Sequence, residues 1–177
     1  MCHPRPVSDQ QKSGPVVVMG VSGSGKSAVG RALATRLGVP FADGDDLHPK
    51  ANVAKMAAGV PLDEHDRYPW LEAVGKWLAS HREGGVISCS ALRRAHRDQL
   101  RRHKADLEFV HLDGSPDLIR ERQAARRGHF MPPELMSSQL ETLEPLQPDE
   151  KGTVVGIDRG VDEIVAELIV AWGRDTP

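Results

Sequence analysis

Gly20-Val21-Ser22-Gly23-Ser24-Gly25-Lys26-Ser27 fits G-x-x-x-x-G-K-[ST], a spacing whose chemistry is the grip of phosphate. Glycines let consecutive backbone N–H groups approach the β- and γ-phosphates of a nucleotide, Lys26 adds a point charge, and the Ser27 hydroxyl suits Mg²⁺. A helix opening near Lys26 aims its positive dipole end at the same place. Downstream, Asp43, Asp45 and Asp46 crowd one short stretch, Ser90 ends an apolar run, and arginines recur at Arg67, Arg93, Arg97, Arg101, Arg122 and Arg126. Transfer of a phosphoryl group to a hydroxyl needs a carboxylate beside the acceptor, cations for the acceptor's anionic groups, and arginines on the moving phosphoryl.

Each residue has a plainer reading beside the chemical one. Asp45 is the better base candidate, because a chain reversal after Asp43 lets one carboxylate face Mg²⁺-bound water and the other the acceptor; a cap or turn carboxylate is the alternative. Arg67 is expected in a loop between two helices, as an acceptor cation or as a surface ion pair with Asp66. Arg93, Arg97 and Arg101 share one helix face, with Arg101 and Arg102 expected at the surface and Arg97, nearer the strand end, as the ligand candidate. Arg122 and Arg126 share a face leading into Arg126-Arg127-Gly128-His129-Phe130-Met131-Pro132-Pro133, a segment punctuated like a mobile lid. An arginine delivered by its closure would stabilise charge on the phosphoryl group.

These residues need elements to hold them. Residues 1–14 lack periodicity and read as a flexible leader, with a single domain over 15–177 and the lid at about 122–140. Val16 to Met19 is short and uniformly apolar, as in a central strand of a parallel sheet covered on both faces. Ala28, Val29, Ala32, Leu33 and Leu37 recur at helical spacing, and Gly38 suits the left-handed cap. Further strands are expected at Pro40 to Ala42, Val86 to Cys89, Leu107 to Leu112 and Thr153 to Ile157. Between them fall a helix after Pro49, one with Pro69 in its first turn, a basic helix from Arg93, one capped by Ser115-Pro116, one over Leu135 to Leu143, and a last helix with Ile164, Val165, Leu168 and Ile169 inward. Strands alternating with helices predict an α/β fold, a five-stranded parallel sheet flanked by helices, with the chemistry gathered at the strands' carboxyl ends.

Other classes are excluded by what the chain lacks. There is no N-K-x-D guanine reader, and the apolar strand that a motor ATPase would end in Asp-Glu ends here in Ser88-Cys89-Ser90. A net charge of -2 offers no field for nucleic acid or an anionic membrane. No apolar run approaches the roughly 20 residues of a membrane span, and no signal-peptide core is present, which points to a cytoplasmic location. Cys2 and Cys89 give no disulfide framework, and the histidines show no zinc spacing.

Taken together, the phosphate loop, Asp43-Gly44-Asp45-Asp46-Leu47-His48-Pro49, Asp66-Arg67-Tyr68-Pro69-Trp70-Leu71, Ser88-Cys89-Ser90-Ala91-Leu92-Arg93 with Arg97-Asp98, and Gly128-His129-Phe130 resemble the small gluconokinases. These belong to the shikimate-kinase-like branch of P-loop kinases, and the resemblance covers about residues 15 to 172. It implies transfer of the ATP γ-phosphoryl to the 6-hydroxyl of D-gluconate, a five-stranded parallel sheet with a mobile lid, Mg²⁺ dependence and a homodimer. It also implies that Asp45 takes or orients the hydroxyl proton, that Asp43 holds Mg²⁺ through water, and that Arg67 meets the gluconate carboxylate. His48, Ser90 and Arg97 would line the acceptor pocket, and Arg122, Arg126 and His129 would belong to the lid. Lys26, Asp45 and Arg126 are then the catalytic candidates, with Gly20 to Ser27, Arg122 and Arg126 on ATP. Pro145-Leu146-Gln147-Pro148 departs from the family pattern by its proline content. The rivals are a kinase of another small hydroxy acid, shikimate for instance, and a nucleotide-binding module with no acceptor.

Overall fold

The computed structural model describes residues 14–126 and 133–173. The leader, apart from Gly14, and residues 127–132 of the lid, His129 among them, lie outside them. Five parallel strands form one sheet in the order β2-β3-β1-β4-β5: β1 Val16–Met19, β2 Phe41–Asp43, β3 Val86–Ser88, β4 Glu108–Asp113 and β5 Gly152–Gly156. The helices are α1 Lys26–Leu37, α2 Lys50–Ala57, α3 Glu64–Ser80, α4 Arg94–Arg101, α5 Pro116–Ala125, α6 Pro133–Thr142 and α7 Val161–Ala171.

The all-apolar β1 does what its composition requires. Val16 and Val18 pack with Val29, Leu33 and the α7 residues Ile164 and Leu168 on one face, while Val17 and Met19 pack with Trp70, Leu71, Val74 and Leu78 of α3 on the other. Both faces are dry, so the strand needs no polar alternation. Gly38 closes α1 in the left-handed conformation (φ 68°), and the Ser115 hydroxyl caps α5 by accepting from Leu118 N.

One boundary departs from expectation. Pro69 was expected in the first turn of its helix with Arg67 in the preceding loop, but α3 starts at Glu64 and contains both. The start is set by a capping box: Asp63 accepts from Asp66 N at 2.8 Å, and Asp66 accepts from Asp63 N at 3.1 Å. Two reciprocal hydrogen bonds outweigh the preference of proline for a first turn, and Pro69 simply forgoes the bond to the carbonyl one turn back. Lys55 Nζ adds a 2.7 Å bond to Asp66, tying α2 to this start.

The turn after β2 is pressed hard onto the sheet. A Cβ on Gly44 would lie 2.2 Å from the Ser88 carbonyl oxygen, and Trp70 Nε1 donates to the Gly44 carbonyl at 2.8 Å. Gly44→Ala is therefore expected to cost about 1–3 kcal/mol as an overpacked site, seen as a fall in thermal midpoint; an unchanged midpoint would refute the close approach.

Candidate active site

The phosphate loop joins β1 to α1 at the carboxyl edge of the sheet. Gly20, Gly23 and Gly25 take φ of 149°, 84° and 93°, which side chains with a Cβ rarely adopt, and Gly20 N donates to the Ser90 carbonyl at 3.3 Å. Gly25 stands at the α1 N-cap with no side-chain cap, leaving the helix N-terminus to the loop. Lys26 Nζ donates to the Val21 carbonyl at 3.0 Å. Burial lowers the Lys26 pKa against the pull of Asp45, and neighbouring Arg126 lowers it further. The Ser24 hydroxyl is buried with no hydrogen-bond partner among the described residues.

Asp43 ends β2 and is spoken for on both oxygens. Oδ2 accepts from Ser27 Oγ at 3.0 Å, while Oδ1 accepts from Asp45 N at 3.0 Å and Ser88 Oγ at 3.3 Å. Asp45, inside the 3-10 turn Gly44–Leu47 that follows, keeps its carboxylate in the open, with His48 Nε2 at 3.9 Å. His48 stacks on Trp70 with ring centroids 4.1 Å apart. Asn52 Nδ2 donates to the Asp66 carbonyl at 2.9 Å and also reaches His48 Nδ1 at 3.2 Å. The first bond fixes the amide's orientation, so His48 Nδ1 accepts and its ring proton sits on Nε2, toward Asp45. Burial holds the His48 pKa below its ordinary value despite Asp45.

A cavity of about 310 Å³ brings these parts together: Lys26, Asp45, His48, Arg67, Ser90 and Arg126 line it, with Ser22 at the loop. The apolar wall of Met56, Val60 and Pro61 was not anticipated, nor was Trp70, whose place in the Pro-Trp pair read as part of a motif without a contact. Two glutamines were missed as well. Gln139 Oε1 accepts from Ser22 N at 2.7 Å, and Gln123 Nε2 donates to Ser22 Oγ at 2.6 Å. Gln123 could have been found, since it lies one helical turn before Arg126 on α5; Gln139, on a separate helix, carries no local signal.

Arg97 is a correction. It lies outside the cavity with a side chain 0% exposed, giving Nε to Glu150 Oε1 at 2.7 Å, Nη2 to Glu150 Oε2 at 3.0 Å and Nη1 to the Ala91 carbonyl at 2.9 Å. Nη2 also donates to the Pro145 carbonyl at 3.2 Å, so the guanidinium is committed to the fold and does not line the acceptor cavity. Ala91, which it holds, is at φ 42° directly after Ser90. Arg101 is half-buried rather than freely exposed: it pairs with Glu150 and Asp98 and lies over the Phe109 ring. Arg122 does not line this cavity and donates to the Ile157 carbonyl just past β5. Cys89 is buried beside the loop, and burial pushes its thiol up to about 12, which rules out a thiolate nucleophile at neutral pH.

Residues 22–169 match the family described as Shikimate kinase. A gluconokinase of Gluconobacter oxydans is 48% identical over 159 residues, covering 87% of this chain and 88% of that protein. The thermoresistant gluconokinase of Escherichia coli is 43% identical over 157 residues, covering 86% and 90%. Among solved structures, a gluconokinase from Sinorhizobium meliloti superposes with a TM-score of 0.84 at 48% identity, over 91% of this chain and 92% of that one. A shikimate kinase from Aquifex aeolicus shares the fold at 18% identity, with a TM-score of 0.56. The phosphate loop at the edge of a 2-3-1-4-5 parallel sheet and the length of these matches lead to one conclusion: the chain belongs to the shikimate kinase family and, within it, to the gluconokinases.

Proposed function

We propose that this enzyme transfers the γ-phosphoryl group of ATP to the 6-hydroxyl of D-gluconate, giving 6-phospho-D-gluconate and ADP. The observation that carries the reading is one cavity shared by Ser22 and Lys26 on the donor side and by Asp45, His48 and Arg67 on the acceptor side. The acceptor oxygen forms a bond to the γ-phosphorus as the bond to the ADP oxygen breaks, and the hydroxyl proton passes to the Asp45 carboxylate. Lys26, from beneath the loop, and Arg126, from the end of α5, bring positive charge to the phosphates. Catalysis is then mainly positioning and electrostatics.

Mg²⁺ fits the residues present. The Ser27 hydroxyl and Asp43 carboxylate, 3.0 Å apart, are hard oxygen donors at the foot of the loop, so Ser27 would bind the ion directly and Asp43 through water. When bound, Mg²⁺ neutralises charge on the phosphate oxygens. The family resemblance supports a cytoplasmic homodimer in which residues 15–177 form one catalytic domain after a leader, with a lid at about 122–140 to which His129 belongs and an ATP contact for Arg122. Among the described residues no helix is long and apolar enough to cross a membrane.

ADP release measured with ATP, Mg²⁺ and a panel of sugar acids plus shikimate tests the substrate. Gluconate is expected to support turnover; its failure to do so would refute the reading. In the same assay Arg67→Gln is expected to raise the gluconate KM about tenfold or more while leaving the ATP KM near its starting value, the loss of one charge-assisted contact. An unchanged gluconate KM would return Arg67 to a pairing role with Glu64.

A further inference from the structure

Arg67 reaches the cavity wall with a support behind it. Its Nη1 donates to Glu64 Oε1 at 2.8 Å, and among the described residues no other hydrogen bond meets this guanidinium. The second oxygen, Glu64 Oε2, lies 2.9 Å from His96 Nε2. His96 Nδ1 in turn accepts from the Arg93 backbone N–H at 3.1 Å, where α4 begins. A backbone N–H only donates, so Nδ1 carries the lone pair and the proton of the neutral ring sits on Nε2, directed at Glu64. Burial holds the His96 pKa below its ordinary value, which keeps the ring in this neutral form.

The Glu64 carboxylate is itself 54% exposed, but the two groups it joins are not. The His96 ring is 3% exposed and the Arg67 side chain 15%, so a buried group and a cavity wall meet through one carboxylate. Both Glu64 oxygens accept a hydrogen bond, Oε1 from Arg67 of α3 and Oε2 from His96 of α4, with Arg93 Nε a further 3.7 Å from Oε1. An amide in its place has a single acceptor oxygen and could serve only one of them. Fixing the Glu64 rotamer through His96 therefore fixes the Arg67 guanidinium, whose remaining N–H groups are left for a ligand.

We propose that Glu64 and His96 are positioning residues for the acceptor carboxylate: a relay running from the Arg93 backbone through imidazole and carboxylate holds Arg67 at the cavity wall. The inference rests on the gluconate reading and deepens it. It assigns acceptor affinity to two residues that need not touch the acceptor.

Two histidine replacements separate this role from simple helix capping. In His96→Asn the amide oxygen takes the place of Nδ1 and keeps the bond from Arg93 N, but the donor to Glu64 is lost. In His96→Gln the amide nitrogen takes the place of Nε2 and keeps the donor to Glu64, but the cap is lost. The expected result for H96N is a gluconate KM raised about five- to tenfold with the ATP KM and thermal midpoint close to wild type. H96Q is expected to keep the gluconate KM within about twofold while its midpoint falls. The opposite pattern would overturn the relay and leave His96 a cap. Glu64→Gln is expected to reproduce the H96N rise, and it decides the matter if H96N does not fold. Wild-type turnover of gluconate is measured first: its absence refutes the substrate and the relay together, whereas normal wild-type turnover with unmoved gluconate KM in H96N and E64Q refutes the relay alone.

Discussion

Replacing Asp45 by asparagine is expected to lower kcat about 10²-fold or more, the size of effect that loss of a general base produces. Asparagine preserves shape and hydrogen-bonding reach but has no site that takes a proton at neutral pH. The neighbouring carboxylate cannot substitute, because both Asp43 oxygens are occupied by the Ser27 hydroxyl, the Asp45 N–H and the Ser88 hydroxyl. The Asp45 side chain is 75% exposed and takes no part in the core. Stability should therefore stay within about 0.5 kcal/mol of wild type, which separates lost chemistry from lost fold. Gluconate-dependent ADP release is the measurement, and a D45N enzyme retaining more than about a tenth of wild-type kcat would remove Asp45 from the base's role.

Glu150→Gln is expected to cost about 3–5 kcal/mol of stability, because it strands the buried Arg97 guanidinium without its counter-charge. The paired change R97M/E150L should recover much of that loss, since a buried ion pair replaced by apolar groups of similar size is often neutral. Urea unfolding at neutral pH measures both; a Glu150→Gln loss under about 1 kcal/mol would show the pair to be dispensable. A pH signature accompanies it. Burial pushes the Glu150 carboxyl up, but hydrogen bonds from Arg97, Arg101 and the Gln147 N–H more than reverse this and bring it to about 2. Its folded value thus lies below the unfolded one, so its contribution is complete above the ordinary carboxylate range and disappears as pH falls toward 2. In E150Q that part of the acid limb should be absent.

The donor half of the site was legible because it is local. A phosphate loop is one contiguous stretch between a strand and a helix, and the all-apolar Val16–Met19 announced the doubly covered sheet that carries it. The acceptor half was legible only as a set of blocks, and their geometry came from elsewhere in the chain. Arg97 shows why: helical periodicity places it on a face with Arg93 and Arg101 but says nothing of what that face meets, and its partner Glu150 is 53 residues away. Arg67 was expected in a loop because Pro69 was read as the first turn of its helix, and the Asp63-x-x-Asp66 box that starts α3 at Glu64 was not recognised. Gln139, 117 residues from the Ser22 N–H it occupies, could not be found from local pattern at all.

Ala91 gives the buried pair a second meaning. An L-residue in the left-handed region costs roughly 1–2 kcal/mol, and this one sits between Ser90 in the cavity and Leu92 on its wall. The peptide is latched there by Arg97 Nη1, so the ion pair with Glu150 acts as the catch of a loaded spring. Glycine at this position would ease the tension and, with it, the need for a catch. The chain instead keeps alanine and a charged bolt behind it, so that the edge of the acceptor cavity is stiff by cross-bracing rather than by local preference.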